Sequence, residues 1–303
     1  MRATKLNRCI TIALAASVCL LPQLSSAQTL ERIAKTGVVN IGYVPDEAPF
    51  SSKSDGDSAS GFSIDLGQKV VDAVAAKSGR SDLKVNYVAT DLASSFDKVA
   101  AGQIDLLCAA STETLARREK VSFSTPIYTG GIGALLRDNA APDLLRALNG
   151  EPAHVGPLWR ATVNRGLSKH TYAVHAGTVT EAWVQDKIKQ LGVLATVVTV
   201  KSHEEGLELV KKKKADAYFA DRVLLKQAIR KDSKADDLYV LDRYFDYEPI
   251  ALALARNDDD FRLLVDTTLS DLYQTPEFWD IYLNYFEEPS DIARILYQAY
   301  TRP

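Results

Sequence analysis

A run of hydroxyl side chains followed by an arginine could bind an anion. Ser111, Thr112 and Thr114 come directly after the apolar segment Ile104 to Cys108, and Arg117 follows three residues later. Hydroxyl groups donate hydrogen bonds, and a guanidinium can hold a carboxylate through two parallel ones. The competing interpretation is that Arg117 lies on a solvated helix face, as most charged side chains do.

The first part of the chain alternates between strand and helix patterns. Strands are predicted at Val38 to Val44, Leu83 to Val88 and Ile104 to Cys108. Between them we predict one helix that ends near Lys77 and a second at Ser94 to Ala101. A β-α-β-α-β order is typical of a mostly parallel sheet covered by helices.

A second series of the same kind follows. The helices of this series begin at polar residues: Ser202 has Glu205 at the capping-box position, and Asp221 can cap the next helix. The predicted strands and the helix-opening segment are Tyr172 to His175, Gly177 to Glu181, Ala195 to Val200 and Ala215 to Ala220.

The end of the chain returns to the first unit. Ile250 to Ala255 predicts a strand, and two amphipathic helices with large aromatic residues follow. We therefore predict an α/β fold of two lobes with a two-crossover hinge, in which residues 28–135 plus 250–303 form lobe 1 and 136–249 form lobe 2. The segment 137–171 is the least regular, and a surface loop is favoured over a lid or partner contact.

Composition and the N-terminus indicate an exported protein. The net charge of -3 gives no reason to expect nucleic acid or an anionic membrane as a partner. Residues 1–27 have the basic start, the short apolar core and the small residues before Gln28 that are typical of a cleaved signal peptide. Once this segment is removed, Cys108 is the one remaining cysteine, which excludes an intramolecular disulfide. We expect no metal and no cofactor, because no Cys/His cluster or phosphate-binding loop is present.

Together, five segments resemble the family 3 extracellular solute-binding proteins of amino-acid ABC importers, and most closely their glutamate/aspartate-binding branch. The resemblance covers roughly residues 30–136 and 172–287. It implies a type II periplasmic binding protein fold that closes on its ligand. The segments are Gly61 to Leu66, Thr112 to Tyr128, Gly177 to Glu181, Asp216 to Asp221 and Arg256 to Asp259.

This resemblance implies a two-sided clamp for an amino acid. Arg117 matches the arginine that grips the α-carboxylate, Thr112 supports it, and Ala110 lies where a backbone carbonyl often meets the α-ammonium. On lobe 2, Thr178 matches a carboxylate-binding position at a helix N-terminus, where free N–H groups favour anions. Asp221 matches the acidic residue that takes the α-ammonium, although a plain helix cap is its alternative role.

The predicted side-chain pocket departs from the family pattern. Val44 stands where acidic-ligand binders have arginine and basic-ligand binders have an acidic residue. Glu47 occupies a position where an aromatic often covers the ligand, and it could meet a positive or hydroxylated group or point to water. Phe50 fits a pocket wall or the core. The cysteine that pairs with Cys108 in the similar branch is Ala253 here.

Three functions are compatible with these residues. The first is a monomeric periplasmic protein, not an enzyme, that binds an amino acid or similar zwitterion and delivers it to an ABC permease. The second is an exported dehydratase of the arogenate or prephenate type, with Glu47 and Asp221 as candidate acids. The third is a ligand-sensing protein for another membrane partner.

Overall fold

The computed structural model describes residues 28–56, 58–151, 164–233 and 235–301. The predicted signal peptide and residues 152–163 of the irregular segment lie outside these residues. Within the described ranges, no helix combines the length and the apolar character that crossing a membrane requires.

The strands of the first sheet lie in the order β5 (Lys84–Ala89), β1 (Val38–Tyr43), β6 (Leu106–Leu107), β14 (Ala253–Ala255) and β7 (Val121–Phe123). Its parallel strands β1, β5 and β6 are joined by helices, and β14 pairs antiparallel with both β6 and β7. The predicted third strand is shorter than expected, because only Leu106 and Leu107 pair in the ladder. The elements that build this lobe up to the crossover are α1 (Gln28–Thr36), β1 (Val38–Tyr43), β2 (Asp46–Glu47), β3 (Ser51–Lys53), β4 (Ala59–Ser60), α2 (Phe62–Ser78), β5 (Lys84–Ala89), α3 (Leu92–Ala100), β6 (Leu106–Leu107), α4 (Leu115–Arg118) and β7 (Val121–Phe123).

The second sheet has the order β10-β9-β11-β8-β12, with β13 also pairing with β8. Strands β9, β10 and β11 run parallel, as the repeated strand-helix pattern predicts. The elements of this lobe are β8 (Tyr128–Arg137), α5 (Pro142–Asn149), a 3₁₀ turn (Asn164–Leu167), β9 (Thr171–His175), α6 (Val179–Leu191), β10 (Thr196–Val200), α7 (His203–Lys211), β11 (Ala217–Asp221), α8 (Arg222–Lys231), β12 (Leu238–Val240) and β13 (Tyr247–Ile250).

Two antiparallel strands connect the lobes. Strand β8 leaves lobe 1 and β13 returns to it, and they pair from Tyr128 opposite Ile250 to Gly131 opposite Tyr247. The two-crossover hinge is therefore present. Strand β8 pairs with β13 at Tyr128 to Gly131 and with β11 of lobe 2 from Ile132 onward, so it serves the hinge first and the second sheet after it. The predicted strand Ile250 to Ala255 is likewise two strands, because β14 (Ala253–Ala255) belongs to the first sheet.

The last three helices complete lobe 1. They are α9 (Asp259–Tyr273), α10 (Pro276–Tyr285) and α11 (Asp291–Tyr300). The hydroxyls of Tyr273 and Tyr297 donate to the carbonyls of Pro126 and Ile127, at 2.8 and 2.6 Å, just before the crossover strand. Hydrophobic clusters cover both faces of each sheet, so each lobe has its own core. Cys108 is fully buried in one of them, as a packed small hydrophobe.

Candidate functional site

Three of the predicted residues lie beyond the carboxyl ends of β1 and β6. Glu47, in the short strand after β1, is only 2% exposed. Its Oε2 accepts a hydrogen bond of 2.7 Å from the N–H of Ala110. The family resemblance implied that the carbonyl of Ala110 meets the α-ammonium of the ligand. In the structure, the N–H of Ala110 donates to Glu47. The hydroxyl of Thr112 donates to a carboxylate of the return strand, Oε2 of Glu248, at 2.9 Å.

Arg117 is not on a solvated helix face. Thr114 caps the short helix α4 and so turns Arg117 back toward the sheet. The guanidinium stacks over the Phe96 ring at 4.7 Å, and its Nη1 donates to the carbonyl of Thr112 at 2.7 Å. Its Nη2 reaches the carbonyl of Gly177 in lobe 2 at 3.3 Å. Arg117 therefore bridges the mouth between the lobes.

The lobes also touch at two further points. The N–H of His203, at the start of α7, donates to Oδ2 of Asp46 at 3.3 Å. A Cβ built on Gly177 would lie 3.6 Å from the Cβ of Ala93 in lobe 1. The cleft is therefore in a closed arrangement in this structure.

Thr178 and its helix form the lobe 2 side of the cleft. The Thr178 hydroxyl accepts from the N–H of Glu181 at 3.1 Å and donates to the carbonyl of His175 at 2.7 Å, so it is a helix cap. Within the described structure, no acceptor is bonded to the N–H groups of Val179 and Thr180. These two groups are the donors that this helix start offers to an anion.

Asp221 serves both as a cap and as a carboxylate of the cleft. Its Oδ1 accepts from the N–H of Val223 at 2.8 Å, which confirms the predicted cap of α8. Its Oδ2 accepts from the N–H of Gly131 on the crossover strand at 2.9 Å. A side chain at position 130 would collide with this oxygen, because a Cβ on Gly130 would lie 2.2 Å from it. Glycine is therefore required at the point where the hinge strand packs against the Asp221 carboxylate.

Glu248 is the residue that the sequence reasoning missed. It lies in β13, is 8% exposed, and accepts the Thr112 hydroxyl. Side chains two positions apart on a strand share a face. Ile250 is buried, with 1% of its surface exposed. Extending the predicted strand backward from Ile250 with period two would have placed Glu248 on the same inward face.

Two side chains of the predicted pocket belong to the core instead. Phe50 is 0% exposed and packs against Phe62, Tyr128 and Phe286. Val44 is 3% exposed and lies in a hydrophobic cluster of lobe 1. Neither presents surface to a ligand in this conformation, so the suggestion that Phe50 forms a pocket wall is not kept.

The carboxylates of the cleft are hard to ionise. Burial raises the pKa of Glu47 to about 7, against the hydrogen bond from Ala110 and the attraction of Arg117. Burial raises the pKa of Asp221 to about 6, against three backbone hydrogen bonds. The pKa of Glu248 is raised by burial and by the charge of Asp221, and lowered by Thr112 and Arg117. Burial also lowers the pKa of Arg117, which remains a cation.

This arrangement can hold a small zwitterion. Arg117 of lobe 1 and the free N–H groups at the start of α6 in lobe 2 meet at the mouth of the cleft. Glu47, Glu248 and Asp221 provide the carboxylates. In the described ranges, no three His, Cys, Asp or Glu side chains are grouped so that they could hold a metal ion. A separate cavity of about 660 Å³ lies on the other side of the hinge, between α8 and the last two helices. Arg117, Glu47, Asp221 and Glu248 do not line it, so it is not part of this cleft.

Comparisons with known proteins agree with the fold. An L-glutamate/L-aspartate-binding protein of Pseudomonas aeruginosa is 26% identical over 264 residues, which cover 86% of this chain and 80% of that protein. The cysteine-binding protein of Campylobacter jejuni superposes with a TM-score of 0.69 at 19% identity, covering 88% and 97% of the two chains. The ancestral amino acid-binding protein AncCDT-1, a precursor of cyclohexadienyl dehydratase, superposes with a TM-score of 0.67 at 22% identity, covering 86% and 99%.

These likenesses confirm the type II periplasmic binding protein fold. The curated relative is a binding protein, which supports the predicted binding role over the dehydratase alternative. The family model of bacterial extracellular solute-binding proteins, family 3, matches residues 39–288. Because this match spans most of the chain, the protein belongs to family 3 of the bacterial extracellular solute-binding proteins, the family that serves amino-acid ABC transporters.

Proposed function

We propose that this protein captures an amino acid between its lobes in the periplasm and delivers it to an ABC importer. Arg117 holds the α-carboxylate, together with the N–H groups at the start of α6 behind Thr178. Asp221 takes the α-ammonium from the lobe 2 side. Thr112 and the backbone at Ala110 line the lobe 1 side.

The observation that carries this proposal is the position of Arg117. Its guanidinium stacks on Phe96 and bonds to the carbonyls of Thr112 in lobe 1 and Gly177 in lobe 2. Two of its five N–H donors are used in these bonds, which leaves donors for a bidentate carboxylate. Gly177 directly precedes Thr178, so a carboxylate on Arg117 would also be close to the positive end of the helix.

A ligand that contacts both sides stabilises the closed state. Arg117 belongs to lobe 1, whereas Thr178 and Asp221 belong to lobe 2, and each lobe alone satisfies only part of a zwitterion. The ligand then favours closure because it has more contacts in the closed than in the open arrangement. The paired hinge strands β8 and β13 would carry this motion.

The test is a calorimetric titration of the mature protein with the common L-amino acids, preceded by a thermal-shift screen. Saturating ligand at about 100 times Kd should stabilise the fold by roughly 2.7 kcal/mol. Arg117→Ala should weaken binding by at least 100-fold, since it leaves a desolvated carboxylate unpaired.

Arg118→Ala is the matched control. Arg118 is the next residue on the same short helix, is half exposed, and pairs with Glu113 at 3.3 Å. Arg118→Ala should leave the Kd for the amino acid within twofold of the wild-type value. Unchanged affinity in Arg117→Ala, with a native circular dichroism spectrum, would contradict the assigned role. Delivery is tested by uptake of the identified amino acid in cells with and without the gene.

A further inference from the structure

Two buried glutamates lie where lobe 1 meets the hinge. Glu47 belongs to β2 and is held by the N–H of Ala110. Glu248 belongs to the return strand β13 and is held by the Thr112 hydroxyl. Ala110 and Thr112 are two residues apart, so the two carboxylates are anchored to the same segment of lobe 1.

Each glutamate has one oxygen that the protein does not use. Both side chains are more than nine-tenths buried, at 2% and 8% exposure. In the described structure each Oε2 has a hydrogen bond, whereas neither Oε1 is bonded, and neither Oε1 is completely sealed from solvent. Such an oxygen is open to a hydrogen bond from water or from a ligand that enters the cleft.

The charges around the two glutamates are mainly negative. Arg117 attracts both, but Asp221 repels both, Asp46 adds to the field at Glu47, and Asp246 adds to the field at Glu248. In the proposed function, the α-carboxylate of the ligand takes the charge of Arg117, and the α-ammonium takes the charge of Asp221. Glu47 and Glu248 are then left without a counter-charge.

We propose that Glu47 and Glu248 select an L-amino acid whose side chain carries a positive charge, a guanidinium or an ammonium group. This inference rests on the proposed function, because the α-groups of the ligand are assigned to Arg117 and Asp221. The side-chain cation donates to the two free Oε1 atoms and supplies the missing counter-charge. A ligand with an acidic side chain is rejected, because its second carboxylate would face two buried carboxylates.

The first arm of the experiment compares L-arginine, L-citrulline and L-glutamate on the unmodified protein by calorimetry at pH 8. Citrulline has nearly the shape of arginine without its charge, so the comparison requires no variant to fold. We expect arginine to bind at least tenfold more tightly than citrulline, with glutamate weaker still.

The second arm uses Glu248→Gln and Glu47→Gln, with Glu113→Gln as the control. Glu113 is a glutamate of the same segment that pairs with Arg118 at the surface. Each cleft variant should lower affinity for arginine at least tenfold and reduce the preference over citrulline, and the control should change neither.

The outcomes separate the two proposals. Tighter binding of glutamate or citrulline than of arginine, with binding still lost in Arg117→Ala, would overturn the selection by charge and leave the amino-acid clamp intact. Binding of no amino acid at all would overturn the proposed function and this inference with it.

Discussion

Asp105 and Glu47 are both buried carboxylates of lobe 1, but they lie at opposite ends of strand β6 and differ in their partners. Asp105, at the amino end, is held by the guanidinium of Arg32 at 2.5 Å and by the backbone and side-chain N–H groups of Asn40 at 2.7 and 3.2 Å. Glu47, beyond the carboxyl end, has a single hydrogen bond, from Ala110.

The two carboxylates differ in the partners that the fold gives them. Asp105 has three donors, one of them the counter-ion Arg32, and all three bond to its Oδ2. Glu47 is equally buried, yet it has one donor and no hydrogen-bonded counter-ion. Burial raises the pKa of both groups, that of Glu47 to about 7. Ligands of open α/β sheets bind beyond the carboxyl ends of the strands, where Glu47 lies, so a ligand could supply its missing partner.

The largest expected effect is on stability, from Asp105→Ala. Removing this carboxylate leaves the N–H of Asn40 and the charge of Arg32 without their partner. We expect the free energy of unfolding in urea to fall by about 4 kcal/mol, as for other broken buried pairs. Binding of the ligand under native conditions should stay within a few-fold of the wild type. A loss below about 1 kcal/mol would contradict the structural role of Asp105.

Glu47→Gln should stabilise the ligand-free protein, whereas Asp105→Ala destabilises it. The pKa of Glu47 is higher in the folded protein than the ordinary 4.5, so the folded state holds its proton more tightly. Below pH 4.5, Glu47 makes its full contribution to the free energy of unfolding. This contribution is lost as the pH rises through about 7. Relative to wild type, ligand-free Glu47→Gln should therefore gain up to about 3 kcal/mol between these pH values. Urea unfolding at pH 4.5 and pH 8 measures this, and a pH-independent difference would contradict a buried, weakly held carboxyl.

Thr178→Ala should have the smallest effect. The hydroxyl caps α6 through the N–H of Glu181, and losing such a cap costs about 1 kcal/mol. Thr178→Ser keeps the cap and is the control. Thermal unfolding without ligand compares the three proteins, and equal melting temperatures would contradict the capping role.

Local signals made much of lobe 2 predictable from the sequence. Ser202, Thr178 and Asp221 each cap a helix, as their side chains accept from the first turn. Capping depends on a few consecutive residues, so it can be predicted from the sequence without knowledge of the fold. The alternation of strands and helices likewise predicted the two α/β units.

The features that the sequence did not predict depend on contacts between segments that are far apart in the chain. Glu248 meets Thr112 across 136 residues of sequence, so no local pattern marks their pairing. Glu47 is buried because Ala110, 63 residues later, provides its N–H. The sequence carries no local mark of the lobe boundary, because β8 is one continuous strand of 10 residues that serves the hinge and then the second sheet. A run of apolar residues shows that a strand is buried but not which sheet it joins.

A ligand cation that meets Glu47 in the cleft would displace a proton from it, so proton release on binding is the most direct test. Burial raises the pKa of Glu47 to about 7, so part of this group is protonated at pH 7. A cation on its free oxygen would ionise it. Burial also raises the pKa of Glu248, which would contribute to the release, whereas Asp221, with a pKa of about 6, would add little.

Calorimetry of L-arginine binding at pH 7, in two buffers with different ionisation enthalpies, measures the protons exchanged. We expect net proton release on binding, and less release in Glu47→Gln than in the wild type. Proton uptake, or the same release in Glu47→Gln, would contradict the contact between a ligand cation and Glu47.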